Sequence, residues 1–263
     1  MKLCTFLVET HLGRRTRLGA FKAGRIADLN FATAWYMAQS GEPDPQRLAD
    51  ALAPDNLPDY LRAGLRAMHT AEELFLGAGP HPADWWKHDP VPRGPNGETL
   101  VYTSPEHQHA AGSGLPEVRL VSPLPEACCK TVLDPGQEMP WSRDLSIQVA
   151  AVGGAYILPG EPRRDIAGFT VMLAGDGHAA LGPFLATPDE VKDIGSLEIR
   201  LRVNGEKRLT ETAAALKKLL QSRNGIAPGE WVSVRLGAAA LEPGDSVELE
   251  ATPTGTLKCQ LSK

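Results

Sequence analysis

The chain has 263 residues, enough to bury a substantial core as one large domain or as a large domain with a small appendage. Its 42% hydrophobic and 22% charged residues are those of an ordinary soluble globular protein, and its net charge of −5, with no basic stripe carrying interleaved aromatics, argues against a nucleic-acid partner. No apolar run approaches bilayer length and the amino terminus lacks a basic region followed by an apolar stretch, so a cytoplasmic protein without membrane contact is expected.

Residues 1 to about 30 alternate apolar and polar positions with glycine breaks, which predicts short antiparallel strands. Helical spacing follows over Leu29 to Gln39 and over Asp44 to Leu52, the second opened by Asp44 with Pro45 in its first turn. Pro58 to Phe75 reads as one further amphipathic helix, with Leu61, Leu65, Met68 and Leu74 on its apolar stripe. The density of Pro, Gly and His from Gly77 to Gly114 signals loop, interrupted by a strand at Thr99 to Thr103. Strands are then expected at Val118 to Val121, Leu145 to Val152, Gly168 to Leu173, Leu197 to Val203, Trp231 to Leu236 and Ser246 to Ala251, with one clear helix, Glu211 to Ser222. The four cysteines, Cys4, Cys128, Cys129 and Cys259, match no common zinc framework and are expected as reduced thiols.

Several segments carry a more specific signal. Leu145-Ser-Ile-Gln-Val-Ala-Ala-Val-Gly-Gly154 and Ile166-Ala-Gly-Phe-Thr-Val-Met-Leu-Ala174 are joined by Val118-Arg-Leu-Val-Ser-Pro-Leu-Pro125, Leu181-Gly-Pro-Phe-Leu-Ala-Thr-Pro-Asp-Glu190, Leu201-Arg-Val-Asn-Gly-Glu206, Pro228-Gly-Glu230, Leu241-Glu-Pro-Gly-Asp-Ser-Val-Glu-Leu-Glu250 and Gly255-Thr-Leu257. In this order they resemble the fumarylacetoacetate hydrolase superfamily. The resemblance implies a β-rich mixed α/β chain: a small amino-terminal α+β domain over 1–76, an irregular inserted loop over 77–116, and a β-roll, an open mixed barrel, over 117–263. It also implies a homodimer. The family's metal-binding strand carries Glu-x-Glu, and its next strand ends in Asp; those carboxylate positions fall here on Ser146, Gln148 and Ala174. A hydroxyl, an amide and a methyl cannot replace three carboxylates around a hard divalent cation, so neither a metal nor any other cofactor is expected. The family's stretch with a catalytic His region and a further carboxylate ligand is missing after Pro125, and the segment after the third ligand position shortens to Gly175-Asp-Gly-His-Ala179.

Candidate site residues follow, each with a structural alternative. Ser146 and Gln148, two apart on a strand, share a face and can hydrogen-bond a substrate carbonyl, or can satisfy one another. Arg235 can hold a carboxylate or enolate oxygen, or point outward to solvent. Asp176 and His178 form an acid–base pair or a tight turn. His107 and His109, with Glu106, can bind a metal or shuttle protons if the inserted loop covers the barrel mouth; a surface loop is the alternative. Lys130 lies near a family region that supplies a substrate-binding lysine, and Trp85, Trp86 and Trp141 line an apolar pocket or serve the core. The function expected is that of a metal-independent enzyme acting on an enolisable dicarbonyl-type small molecule by cyclisation, isomerisation or elimination, in a natural-product setting. A metal-dependent C–C hydrolase or decarboxylase with relocated ligands (Glu106, His107, His109, Asp176) and a non-catalytic binding subunit are the rivals.

Overall fold

The alternating amino-terminal pattern is realised as three strands, β1 (Lys2–Thr10), β2 (Gly13–Lys22) and β3 (Arg25–Asp28), which run directly into helix α1 (Leu29–Gln39). The computed structural model describes residues 1–10, 13–22, 25–76, 100–102, 119–121, 131–133, 137–154, 165–237 and 240–263. The chain divides into two compact units, one of residues 1 and 3–121, the other of residues 2 and 122–263.

In the first unit the sheet order is β1, β2, β3 and β4 (Leu100–Tyr102), with β5 (Arg119–Val121) antiparallel to β1. β2 and β3 pair antiparallel, β3 and β4 parallel. Asp28 ends the strand and caps α1, its carboxylate accepting from the Phe31 backbone N–H at 3.0 Å. Helix α2 (Pro45–Leu52) starts as the sequence indicates, with Asp44 as its cap and Pro45 in the first turn. The single helix expected over Pro58 to Phe75 is instead two, α3 (Leu57–Ala63) and α4 (Leu65–Leu76). Gly64, at φ 71, is the reason: a glycine in a conformation the helix cannot contain divides one apolar stripe between two axes.

The second unit holds two sheets. One has the order β14 (Trp231–Arg235), β8 (Ser146–Gly153), β9 (Ile166–Gly175), β11 (Leu185–Ala186), with β10 (His178–Leu181) also antiparallel to β9 and β6 (Thr131–Leu133) parallel to β10. The other has the order β13 (Glu206–Thr212), β12 (Glu198–Val203), β15 (Ser246–Ala251), β16 (Gly255–Leu261), β7 (Glu138–Met139). Parallel and antiparallel pairs mix, and the protein has the β-rich mixed α/β architecture with open sheets that the sequence indicates. The helix expected over Glu211 to Ser222 is shorter, α5 (Ala214–Ser222), because Glu211 and Thr212 pair with Ile199 and Glu198 as strand residues.

Strand alternation builds the core of this unit. Ile147, Val149 and Ala151 of β8, Phe169, Val171 and Leu173 of β9, and Ile199, Leu201, Val247 and Leu249 of the second sheet all belong to one buried cluster, with Leu216 and Leu220 of α5. The period of two therefore turns the intervening residues of β8, β9 and β14, among them Ser146, Gln148 and Arg235, to the opposite face.

Candidate functional site

Three strands carry the residues that matter. β8 pairs antiparallel with β9 so that Ser146 stands opposite Ala174 and Gln148 opposite Met172; β14 pairs with β8 so that Ser233 stands opposite Ala150 and Arg235 opposite Gln148. Val232 and Val234 of β14 pack on the core, so Ser233 and Arg235 share the other face with Ser146 and Gln148. The three positions aligned with the family's carboxylates are thus brought together, as is Arg235.

A continuous hydrogen-bonded chain links them. Ser233 Oγ donates to Gln148 Oε1 at 2.7 Å, Gln148 Nε2 donates to Ser146 Oγ at 2.8 Å, and Ser146 Oγ donates to the Ala174 carbonyl at 3.2 Å. Ser146 and Gln148 are half-buried, Ser233 and Arg235 exposed. The mutual satisfaction that the sequence left open does form between Ser146 and Gln148, yet a primary amide has two N–H donors and this chain uses one. Arg235 forms no ion pair with a carboxylate among the described residues. The residues of β8, β9 and β14 on this face include no carboxylate, imidazole or thiol.

Other candidates are placed elsewhere. Asp176, at φ 48, and Gly177, at φ 76, form the two-residue turn between β9 and β10, the arrangement a tight hairpin of this type requires. His178 stands opposite Gly175 and so takes the side of Ala180, which packs in the core, while Ala179 takes the side of Ala174; the imidazole accordingly lies across the sheet from Ser146 and Gln148. Its Nδ1 lies 3.0 Å from the Asp176 backbone oxygen, a contact to the turn's main chain. Trp141 packs against the core cluster, and its indole N–H donates to the Leu241 carbonyl at 2.9 Å. This places it with the core. Lys130, Glu106, His107, His109, Trp85 and Trp86 lie outside the described residues.

Sequence reasoning overlooked Ser233 and Trp231. Both alternate with the core residues of β14, a signal that could have found them; the Trp231 indole N–H is buried with no partner among the described residues. A cleft of about 400 Å³ lies apart from the strip, lined by Glu190, Asp193, Glu198, Arg200 and Glu250 among others. There Arg200 pairs with Glu198 at 2.5 Å and Asp193 with Lys217 at 3.0 Å.

The donor set decides against a hard cation. Ser146 and Gln148 are committed to one another and Ala174 offers only a methyl, so the positions that would hold Mg²⁺ or Mn²⁺ do not fit one. Among the described residues no three His, Cys, Asp or Glu side chains come together as ligands either.

The architecture matches solved structures along the whole chain. Maleylpyruvate hydrolase from Sphingobium sp. SYK-6 superposes with a TM-score of 0.55 at 17% identity, covering 100% of this chain and 99% of that one. The chain has the fumarylacetoacetate hydrolase fold. The fumarylacetoacetate hydrolase of psychrophilic Exiguobacterium antarcticum gives a TM-score of 0.54 at 17% identity, covering 99% of each chain. The Sphingobium enzyme is also known in complex with manganese(II) and pyruvate, at a TM-score of 0.52 and the same identity, over 100% of this chain and 99% of that one. No protein-family model and no curated protein matches the sequence. Within the fumarylacetoacetate hydrolase fold, no described helix is long and apolar enough to cross a membrane.

Proposed function

We propose that this protein is an enzyme of the fumarylacetoacetate hydrolase fold that binds an enolisable dicarbonyl-type small molecule and promotes its cyclisation, isomerisation or elimination without a metal. The observation that carries this reading is the neutral chain Ser233, Gln148, Ser146 beside Arg235, which has no carboxylate partner among the described residues; Ser146 and Gln148 stand at positions that align with carboxylates of the family. Two of the structural neighbours are hydrolases of maleylpyruvate and of fumarylacetoacetate, which supports a carbonyl-rich substrate.

The chemistry follows from the groups present. The guanidinium of Arg235 and the second N–H of Gln148 would donate to an oxygen on which negative charge develops, which lowers the barrier to enolisation or ring closure by preorganised electrostatics. Confinement of one reactive conformer adds to this. Because this face of the three strands carries no base, the proton would move within the substrate or through water, and hydrolysis by an activated water has no support here. Ala174 on the same face is partly exposed and supplies apolar surface beside the donors. We further take the protein to act as a cytoplasmic homodimer, as the family resemblance implies, in natural-product biosynthesis; a monomeric mass by light scattering would contradict the dimer.

The test uses acetylpyruvate, a simple diketo acid, with a chelator in the buffer. The protein should accelerate its interconversion between enol and keto forms, and the Gln148→Ala, Arg235→Ala double variant should not. Acceleration that appears only on adding Mg²⁺ or Mn²⁺ would overturn the metal-independent reading.

A further inference from the structure

Ser233 is not among the candidate residues read from the sequence, yet it sits at one end of the hydrogen-bonded chain. The direction of that chain is fixed from the other end. The Ala174 carbonyl can only accept, so the single hydroxyl proton of Ser146 is spent on it. Ser146 Oγ must then accept from its neighbour, which forces the Gln148 amide to present Nε2 towards Ser146 and Oε1 towards Ser233. Ser233, diagonal to Gln148 across the β14–β8 pair, holds that oxygen by donation at 2.7 Å. Both ends of the amide are clamped, and its second N–H has no acceptor among the described residues, on the face where Arg235 stands opposite Gln148.

We propose that Ser233 is a positioning residue that holds the Gln148 amide donor-outward, so that Gln148 and Arg235 form a donor pair for an oxygen anion, the carboxylate or enolate of a planar small molecule. This rests on the strip being the binding site. The terminal torsion of a glutamine is broad and two-fold, so an amide released at Oε1 can turn and present its carbonyl oxygen to the ligand. A carbonyl oxygen in that place would repel an anion where the N–H attracts it, and a guanidinium with no carboxylate partner among the described residues leaves the strip positively charged. The strip therefore selects an anion over a neutral carbonyl of the same shape.

Calorimetry on the full chain with oxalate, a planar dianion, and oxamide, its neutral isostere, tests this. The wild-type protein should bind oxalate in preference to oxamide. Ser233→Ala should weaken oxalate about fivefold, the effect of one net hydrogen bond, with unchanged thermal stability, and Ser233→Thr should restore it. In a Gln148→Ala background the Ser233→Ala change should have no further effect, because Ser233 acts through that amide. The proposal is overturned if Ser233→Ala binds like wild type, if its loss is as large without Gln148, or if oxamide binds as tightly as oxalate. Absence of any oxalate binding to wild type also overturns it. If oxalate binds but neither Arg235→Ala nor Gln148→Ala alters the affinity, the reading of the strip as the site falls together with the proposal; if those two variants lose oxalate and Ser233→Ala does not, only the proposal falls.

Discussion

Two arginines, one in each unit, show how differently the same side chain is used. Arg17 is buried and its donors are engaged: Nε and Nη2 bond the two oxygens of the fully buried Asp28 at 2.8 and 3.0 Å, Nη2 also reaches Asn30 at 3.3 Å, and Nη1 reaches Asp55 at 3.2 Å. Burial alone would lower the guanidinium's pKa, but the charges of Asp28 and Asp55 and the hydrogen bond to Asp28 outweigh it and the pKa is raised. Arg235 is exposed, with no carboxylate partner among the described residues, beside a neutral amide. A closed network of this kind ties β2, β3 and the α1 cap together, whereas an open one leaves donors for something else.

The largest effect should come from breaking the closed network. Arg17→Met leaves the Asp28 carboxylate buried without its partner, which should cost about 3–5 kcal/mol in chemical denaturation. An unchanged midpoint would show that Arg17 is no more structural than Arg235. Conversely, the Gln148→Ala and Arg235→Ala variants should retain the wild-type melting temperature while turnover of a diketo acid falls by about 3 kcal/mol in barrier for each donor removed. Loss of stability comparable to that of Arg17→Met would erase the contrast between the two arginines.

The open strip can be sharpened further by returning carboxylates to it. Ser146→Glu, Gln148→Glu and Ala174→Asp in one chain should create Mn²⁺ binding detectable by calorimetry, because the register places all three on one face, while the wild type should show none at micromolar concentrations. Binding to the wild type, or its absence in the triple variant, would contradict the reading of these three positions as equivalents of metal-ligand positions. The smallest effect concerns Cys259, whose thiol is pushed by burial from 9.0 up to about 11. Its folded form keeps the proton longer than the unfolded form, so stability should fall slightly as pH rises above 9 and a thiol reagent at pH 8 should label Cys259 only after unfolding. Labelling at the native rate of a free thiol would show that this part of the core opens readily.

What could be read from the chain alone were those features that depend on local pattern. The two-residue spacing of Ser146 and Gln148 put them on one face of a strand, and Asp44 with Pro45 marked a helix start, because these signals are carried by neighbours in sequence. The motif order further pointed to the fold and matched Ser146, Gln148 and Ala174 to carboxylate positions of the family it resembles. Where partners are distant in sequence the chain was silent. Gly64 could continue or end a helix, and only its backbone conformation in the fold, at φ 71 between α3 and α4, decides it. His178 follows the right strand but the hairpin at Asp176 and Gly177 sets its side of the sheet, a one-residue matter that spacing alone leaves open. Ser233 lies 85 positions from Gln148, and no local rule can pair a hydroxyl with an amide at that separation; the register of β14 on β8 does so, because in a sheet side chains become neighbours through backbone hydrogen bonding between strands.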